Sequence, residues 1–205
     1  MHRETETIME EIKDEQKKED VKEEQQKINW KKELFDWVVI FVVALILAIC
    51  ITRFIIIKTE IISGSMISTL NVDDRVIGNR TAYWFKEPAR GDIVFFAFPD
   101  DEEKTYVKRV IGLPGETVEG IDGTVYINGE AIAEPYINGT DKSDRKTFGP
   151  YVVPEGCYFM LGDNRTISVD SRYWTTQFVT KEKIYGKAWL RYYPKLGTVE
   201  SASYE

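Results

Sequence analysis

Histidine and cysteine are both scarce in this chain of 205 residues. The only histidine, His2, lies in a charged N-terminal segment that is poor in apolar residues, so a mechanism that needs a positioned imidazole is nearly excluded. The two cysteines, Cys50 and Cys157, are too few for a disulfide framework or a cysteine-rich zinc site. A catalytic serine in this protein would therefore need a lysine or a carboxylate as its base.

Net positive charge is also lacking, since the formal charge is −7 at pH 7. This balance disfavours nucleic acid as the main partner. A hydrophobic content of 43% and an aromatic content of 13% fit a packed core and argue against wholesale disorder. The length leaves room for one modest domain and one appendage.

The N-terminal segment, residues 1–33, is strongly charged. It carries 11 acidic and 8 basic side chains and contains neither glycine nor proline. Such a segment cannot bury enough apolar surface to fold alone. We therefore expect a charged cytoplasmic tail over 1–33.

A long apolar run follows the tail. From Trp37 to Thr52 there are 16 consecutive uncharged residues. The range 34–57 reaches the length of about 20 residues that a membrane span needs, if Asp36 and Arg53 lie near the interfaces. A buried core helix should show a polar stripe, and a cleaved leader should have a short basic start and small residues at its end. The run has none of these features, so we predict an uncleaved transmembrane signal anchor over 34–57.

The basic residues on either side of the span predict its orientation. Basic side chains precede the span at Lys22, Lys27, Lys31 and Lys32 and follow it at Arg53 and Lys58. By the positive-inside rule, the N-terminus is cytoplasmic and residues 58–205 are extracytoplasmic.

Beyond the span the sequence is typical of β structure. Short runs of β-branched and aromatic residues recur between turn signals, at 75–77, 92–98, 105–111, 117–132, 157–161 and 183–193. The dipeptide Asn128-Gly129 predicts a type I′ hairpin turn, because both central residues of that turn need positive φ. We predict a mainly β protein, with an antiparallel sandwich-like or barrel-like domain over 58–205 and one N-terminal transmembrane helix.

Lys108 looks buried, because it lies inside a strand-like run, whereas most other lysines occupy polar loops or the N-terminal tail. Strand alternation places it on one face with Tyr106 and Val110, and Arg109 on the other. An exposed lysine has a pKa of about 10.4 and is a poor base at neutral pH, so a catalytic lysine must be buried. On this pattern alone, Lys108 remains more typical of an edge residue than of a catalytic base.

Two polar segments could accompany such a lysine. In the segment 61–70, Ser63 and Ser65 flank Gly64, which permits a tight backbone. The segment 162–172 combines charged and hydroxyl side chains between two strand-like runs, as either a structural network or a site. Each motif is weak by itself.

Taken together and in order, these blocks resemble those of the bacterial type I signal peptidases, of the small single-span kind found in Gram-positive bacteria. Residues 63–66 resemble the block with the nucleophile, 106–115 the block with the general base, and 162–172 the last block of the family. Residues 90–94 add a fourth match, so the resemblance covers roughly 34–193.

The resemblance implies a role for each matching residue. Ser65 would be the nucleophile, Lys108 the general base, and the Ser63 hydroxyl a donor to the oxyanion. Ser168 would orient the Lys108 amine. Asp170 and Arg172, with Arg109 as a candidate third member, would form an ion pair that holds the loop bearing Ser168. The reaction would be peptide hydrolysis through an acyl-serine, without a metal or an organic cofactor.

The resemblance also implies a membrane-bound endopeptidase whose partners are the lipid bilayer and the signal peptides of secretory preproteins. Segments 60–62 and 105–107 would be strands that hold the leader extended, with Ile61, Ile62, Tyr106 and Val107 as substrate-binding residues. The aromatic residues at 83–85 and 95–98 are either an interfacial surface or core. We expect a monomer.

Three positions depart from the family pattern. Ser68 stands where proline is common, and Asp73 and Thr175 stand where glycine is frequent. None of these departures removes a reacting group, but they leave loop geometry and cleavage preference open. Two other functions remain possible on the sequence: a Ser-Lys peptidase dedicated to one client, and a non-catalytic anchored β module that binds exported chains.

Overall fold

The structure is a computed structural model that describes residues 9, 13–18, 30–137 and 146–204. Most of the predicted tail over 1–33 lies outside the described residues. Two compact units divide the chain, Met1–Ile49 and Cys50–Glu205.

The apolar run forms helix α1, Trp30–Cys50, in which no residue is buried. A π-helical turn, Ile51–Ile55, continues it, and the segment Trp30–Ile55 is long and apolar enough to cross a membrane. The helical segment thus ends two residues before the predicted limit at 57. The reason is that Ile56 and Ile57 already pair with a neighbouring strand, as suits β-branched residues.

The rest of the chain is built from strands, which confirms the predicted mainly β fold. They are β1 Ile56–Glu60, β2 Arg75–Asn79, β3 Ile93–Phe98, β4 Asp101–Gly112, β5 Thr117–Ile121, β6 Thr124–Ile127, β7 Glu130–Ala131, β8 Phe148–Val152, β9 Cys157–Leu161, β10 Val179–Thr180, β11 Ile184–Tyr193 and β12 Gly197–Thr198. Every pairing among these strands is antiparallel.

The strands form two sheets. The larger sheet follows the order β1-β2-β11-β3-β4-β9-β10, with β12 paired to β11, and the smaller follows β7-β6-β5-β8. The two sheets share a core, in which Val118 and Val125 of the smaller sheet cluster with Ile111 and Phe159 of the larger. Strand β4, which carries Lys108, lies inside the larger sheet between β3 and β9.

The predicted β region over 117–132 consists of three strands separated by two tight turns. At Asn128 and Gly129 φ is 53° and 83°, as a type I′ turn requires, and this hairpin prediction is confirmed. Asp122 and Gly123 adopt nearly the same values, 50° and 83°, and form a second turn that the sequence analysis did not predict.

The aromatic segments divide between core and surface. Phe95 and Phe96 are fully buried, so an interfacial role for these two rings is wrong. Trp84 and Phe85, in contrast, are 61% and 94% exposed.

Candidate active site

Ser65 lies in a short 3₁₀ turn, Gly64–Met66, just after β1. Met66 and Leu70 anchor the turn in the core, where both side chains are buried. The Leu70 N–H donates a hydrogen bond to the Met66 carbonyl. It is also tied to a distant loop, since the Asn164 N–H donates to the Ser65 carbonyl at 3.0 Å. Packing and backbone bonding therefore fix the Ser65 side chain beside β4.

Lys108 reaches Ser65 from the middle of β4. Its Nζ lies 2.5 Å from Ser65 Oγ, and its side chain is 4% exposed. The amine also lies 5.8 Å from the centre of the Tyr106 ring, on the face that strand alternation predicts. The sequence separates the two reacting groups by 43 residues, and the sheet brings them into hydrogen-bond contact.

Burial changes the acidity of this lysine. Removal from water disfavours the ammonium form and lowers the pKa of Lys108 to about 8, although the negative charges of Asp170 and Asp163 act in the opposite direction. With that pKa, about a tenth of the amine is neutral at pH 7, compared with less than a thousandth for an exposed lysine. The site thus holds a usable base next to a hydroxyl nucleophile.

Ser63 lies at the open side of the site. Its hydroxyl is 3.3 Å from Ser65 Oγ, and the residue is exposed to solvent. A hydroxyl in this position can donate to negative charge that develops on a substrate carbonyl attacked by Ser65.

Ser168 is buried close to the Ser65 turn but forms no hydrogen bond with the lysine. Among the described residues, its hydroxyl has no hydrogen-bond partner, so the expected bond to the Lys108 amine is not formed here. A Cβ at Gly162 would lie 2.2 Å from Ser168 Oγ and 2.5 Å from the Ser65 carbonyl oxygen. Glycine at 162 is thus what allows the Ser168 loop to approach the Ser65 turn.

A buried ion pair joins Asp170 and Arg172, as the resemblance implies. Arg172 Nε donates to Asp170 at 2.8 Å, and the two side chains are 3% and 0% exposed. The same carboxylate accepts from the Gly162 N–H at 3.0 Å, and Arg172 also donates to the Arg165 carbonyl at 2.9 Å. This pair closes the loop that carries Ser168.

Arg109 does not join the Asp170–Arg172 pair. The expectation that it would be a third member of that pair is wrong. The guanidinium forms two hydrogen bonds with Asp163, at 2.8 and 2.7 Å, and both side chains are 1% exposed. Thr69 donates to the same carboxylate at 2.5 Å. Alternation along β4 sends Arg109 to the face opposite Lys108, where Asp163 is the carboxylate within reach.

Sequence reasoning therefore missed Asp163 and also the partner of Arg165. Arg165 forms a two-bonded ion pair with Glu134, and both side chains are less than 8% exposed. The signal for Asp163 was its place in the block 162–172, but sequence alone does not say which carboxylate meets which arginine.

The four predicted substrate-binding residues lie in two places. Tyr106 and Val107 are in β4, and of the described strands only β3 pairs with them. Ile61 and Ile62 follow the end of β1 at Glu60, so a regular strand over 60–62 is wrong. Ile61 is buried, whereas Ile62 is 88% exposed.

The surface beside the site is apolar. Ile62, Ile167 and Val169 are exposed by 88%, 60% and 60%. Within residues 30–137 and 146–204, no cluster of three or more histidine, cysteine or acidic side chains is placed to hold a metal ion.

Comparison with known proteins gives consistent matches. Residues 34–193 match the family described as signal peptidase, peptidase S26. The chain is 42% identical over 159 residues to a probable signal peptidase I-2 of Synechocystis, covering 75% of this chain and 70% of that protein. It is 38% identical over 175 residues to signal peptidase I of Bacillus licheniformis (81% and 92% of the two chains) and to signal peptidase I S of Bacillus subtilis (82% and 93%).

A solved structure of a signal peptidase I from Enterococcus faecalis shares 40% identity, with a TM-score of 0.44, and covers 50% of this chain and 97% of that one. The family match extends over most of the chain, and the two Bacillus relatives are covered almost completely. The chain therefore belongs to the signal peptidase family, peptidase S26.

Proposed function

We propose that this membrane signal peptidase cleaves the signal peptides of exported preproteins with Ser65 as nucleophile and Lys108 as general base. Family membership and the relatives named signal peptidase I make the chain a serine endopeptidase of this class. The observation that carries the mechanism is the 2.5 Å contact between Lys108 Nζ and Ser65 Oγ in a site that shields the amine from water.

In the proposed reaction, the neutral Lys108 amine accepts the Ser65 proton while Oγ attacks the scissile carbonyl. The Ser63 hydroxyl donates to the oxyanion of the tetrahedral intermediate. Lys108 then gives its proton to the leaving amine, and the acyl-serine forms. Water, activated by the same amine, hydrolyses the acyl-serine and restores Ser65.

At Tyr106 and Val107, one side of β4 is paired with none of the described strands, which supports a mode of substrate binding. A leader in extended conformation can add to the backbone of Tyr106 and Val107, while the segment that contains Ile61 and Ile62 borders it on the other side. Binding of an apolar leader excludes water from the Lys108 amine, which lowers its proton affinity further. Substrate binding thus helps to generate the neutral base.

The three buried ion pairs around the site position the loop 162–172 and transfer no proton. Asp170–Arg172, Asp163–Arg109 and Glu134–Arg165 tie the loop 162–172 to β4 and to the segment before residue 137. Rigid support of this kind holds reacting groups within the small tolerance that catalysis needs. Asp170 and Arg172 in particular hold the loop that places Ser168 beside Ser65.

The proposed topology has the charged tail in the cytoplasm, the helical segment Trp30–Ile55 as the membrane anchor and the catalytic β domain that follows it outside. The excess of lysine before the span supports this orientation. We expect the enzyme to act as a monomer and nucleic acid to have no part in its function.

Paired alanine substitutions test the mechanism. The full chain, embedded in detergent or vesicles, is incubated with a secretory preprotein, and mature product is measured. Ser65→Ala and Lys108→Ala should fold and fail to process the preprotein. Ser68→Ala and Lys104→Ala are matched controls, since Ser68 is exposed three residues further on and the Lys104 side chain is 63% exposed on the same strand.

The results separate the alternatives. Processing by Ser65→Ala would exclude the Ser-Lys mechanism. Peptide binding without cleavage by the unaltered chain would indicate a binding module. A competition between general secretory preproteins and a single dedicated client would distinguish a general from a dedicated peptidase.

A further inference from the structure

A cavity lies on the unit Cys50–Glu205, and neither Ser65 nor Lys108 lines it. Its volume is about 530 Å³. Three basic side chains, Arg53, Arg80 and Lys181, line it together with one acidic side chain, Glu182. The aromatic residues Tyr83, Trp84 and Tyr185 also line it. The proposed peptidase mechanism uses none of these residues.

Two of the three cations lack an acidic partner. Within the described residues, neither Arg53 nor Arg80 forms an ion pair, whereas Lys181 is paired with Glu87. Arg80 lies in the 3₁₀ turn Arg80–Tyr83, and its guanidinium is 5.8 Å from the Tyr185 ring.

The Arg80 Nε–H is also shielded from solvent and has no hydrogen-bond acceptor among the described residues. A buried donor without an acceptor is costly, and in native proteins it usually finds a partner that the protein itself does not supply. The lining therefore holds two guanidinium groups without a carboxylate partner in the described part of the chain against the single carboxylate of Glu182, and this excess of positive charge favours an oxyanion such as a phosphate.

The place of Arg53 in the chain suggests where that anion comes from. Arg53 and Phe54 belong to the last turn of the apolar segment Trp30–Ile55. A basic residue at the end of a span lies at the level of the lipid headgroups. The exposed rings of Trp84 and Phe85, which follow the Arg80 turn, are of the type that membrane interfaces favour.

We propose that this cavity binds the headgroup phosphate of an anionic phospholipid from the leaflet in which the span ends. Arg53 and Arg80 contact the phosphate oxygens, a turn of the Arg80 side chain brings its Nε–H to the same acceptor, and Trp84 and Phe85 extend into the neighbouring lipid. The site differs from the peptidase site, and it requires membrane anchoring but not the Ser-Lys mechanism.

Native mass spectrometry of the full chain in neutral detergent tests the site with short-chain phosphatidylglycerol. We expect lipid adducts on the unaltered protein, and their affinity should fall about fivefold for each of Arg53→Gln and Arg80→Gln, since a basic residue at an anionic membrane surface contributes an effect of this size. Arg75→Gln is the matched control, because that side chain is half exposed and pairs with Glu60 outside the cavity. Its affinity should not change.

Other ligands and variants make the result decisive. Phosphatidylcholine should bind more weakly than phosphatidylglycerol and respond little to the two substitutions, and inorganic phosphate should not displace the lipid. Displacement of the lipid by inorganic phosphate would overturn a lipid site in favour of a free-phosphate site. Unchanged phosphatidylglycerol binding in both variants would show that this cavity does not bind the lipid.

Arg80→Lys should keep part of the affinity, which excludes loss of fold as the cause. Ser65→Ala should bind lipid as the unaltered chain does, so this test is independent of the peptidase mechanism.

Discussion

The acidity of Lys108 makes a quantitative prediction about the pH dependence of catalysis. If the neutral amine is the base, kcat/KM follows the neutral fraction of the free enzyme. Burial lowers the pKa of this lysine to about 8, so kcat/KM should rise with pH and level off above that value. The rate constant rises with pH because Lys108 must lose a proton before it can act as a base.

The expected size follows from the titration of a single group. About a tenth of the amine is neutral at pH 7 and about a hundredth at pH 6, so kcat/KM should be about a tenth of its plateau value at pH 7 and about a hundredth at pH 6. An unshifted lysine, with a pKa of about 10.4, would instead let kcat/KM rise tenfold per unit up to about pH 10. Because bound leader excludes more water, the corresponding limb in kcat should lie at a lower pH than that in kcat/KM.

The assay uses the full chain in detergent with a labelled preprotein, and initial rates are taken between about pH 5.5 and 10.5. Lys108→Arg should be inactive at every pH, because a guanidinium does not deprotonate in this range. Lys104→Arg on the exposed part of β4 is the control and should keep the profile. A profile that is flat from pH 6 to 9, or an active Lys108→Arg enzyme, would refute the assignment of the base.

Three further substitutions test the surrounding structure. Lys108→Met should abolish cleavage yet stabilise the fold at pH 7 by up to about 3 kcal/mol, because a pKa lowered by burial means that the native state binds a proton less readily than the unfolded chain. This gain, measured by thermal unfolding in detergent, should shrink as pH rises from about 8 to about 10.4. Ser63→Ala should lower kcat about 10²–10³-fold with little change in KM, since it removes one donor to the oxyanion. Arg109→Met should destabilise the protein by about 3–5 kcal/mol, because it leaves the Asp163 carboxylate buried without its partner.

Each of these expectations has a contrary outcome. Lower stability of Lys108→Met at pH 7 would mean that burial of the charged Lys108 amine does not destabilise the native state. An increase in KM alone for Ser63→Ala would assign that hydroxyl to substrate binding. Full stability of Arg109→Met would show that the Asp163 carboxylate reaches water or another partner.

Local sequence signals predicted much of the fold. Runs of β-branched and aromatic residues marked β3, β9 and β11, and Asn128-Gly129 marked a hairpin, because these features act over a few neighbouring residues. The turn at Asp122-Gly123 was missed although it carries a related signal. Strands β8, β10 and β12 were missed as well, because β10 and β12 have only two residues each and β8 contains Gly149 and Pro150, which are poor strand formers.

The limits of the membrane segment show the same division. Composition identified an apolar span, and the helix begins at Trp30, four residues before the predicted start. Its other end could not be placed from hydropathy, because Ile56 and Ile57 suit a span and a strand equally well. Pairing of β1 with β2 decides in favour of the strand.

The sequence by itself determined which chemistry was available. Its single remote histidine excluded an imidazole base, and the ordered blocks around Ser65, Lys108 and Ser168 pointed to a Ser-Lys peptidase with a membrane anchor. These conclusions depend only on residue types and their order along the chain.

Only the tertiary structure decided which groups meet. It brings Lys108 to Ser65, gives Arg109 to Asp163 instead of Asp170, and leaves the Ser168 hydroxyl without a partner among the described residues. It also sets how far the pKa of Lys108 falls, since that depends on the burial supplied by strands distant in sequence. The contacts, the burial and the electrostatic field at a site depend on residues that only folding brings together. The order of residues could therefore suggest the reacting groups but not their arrangement.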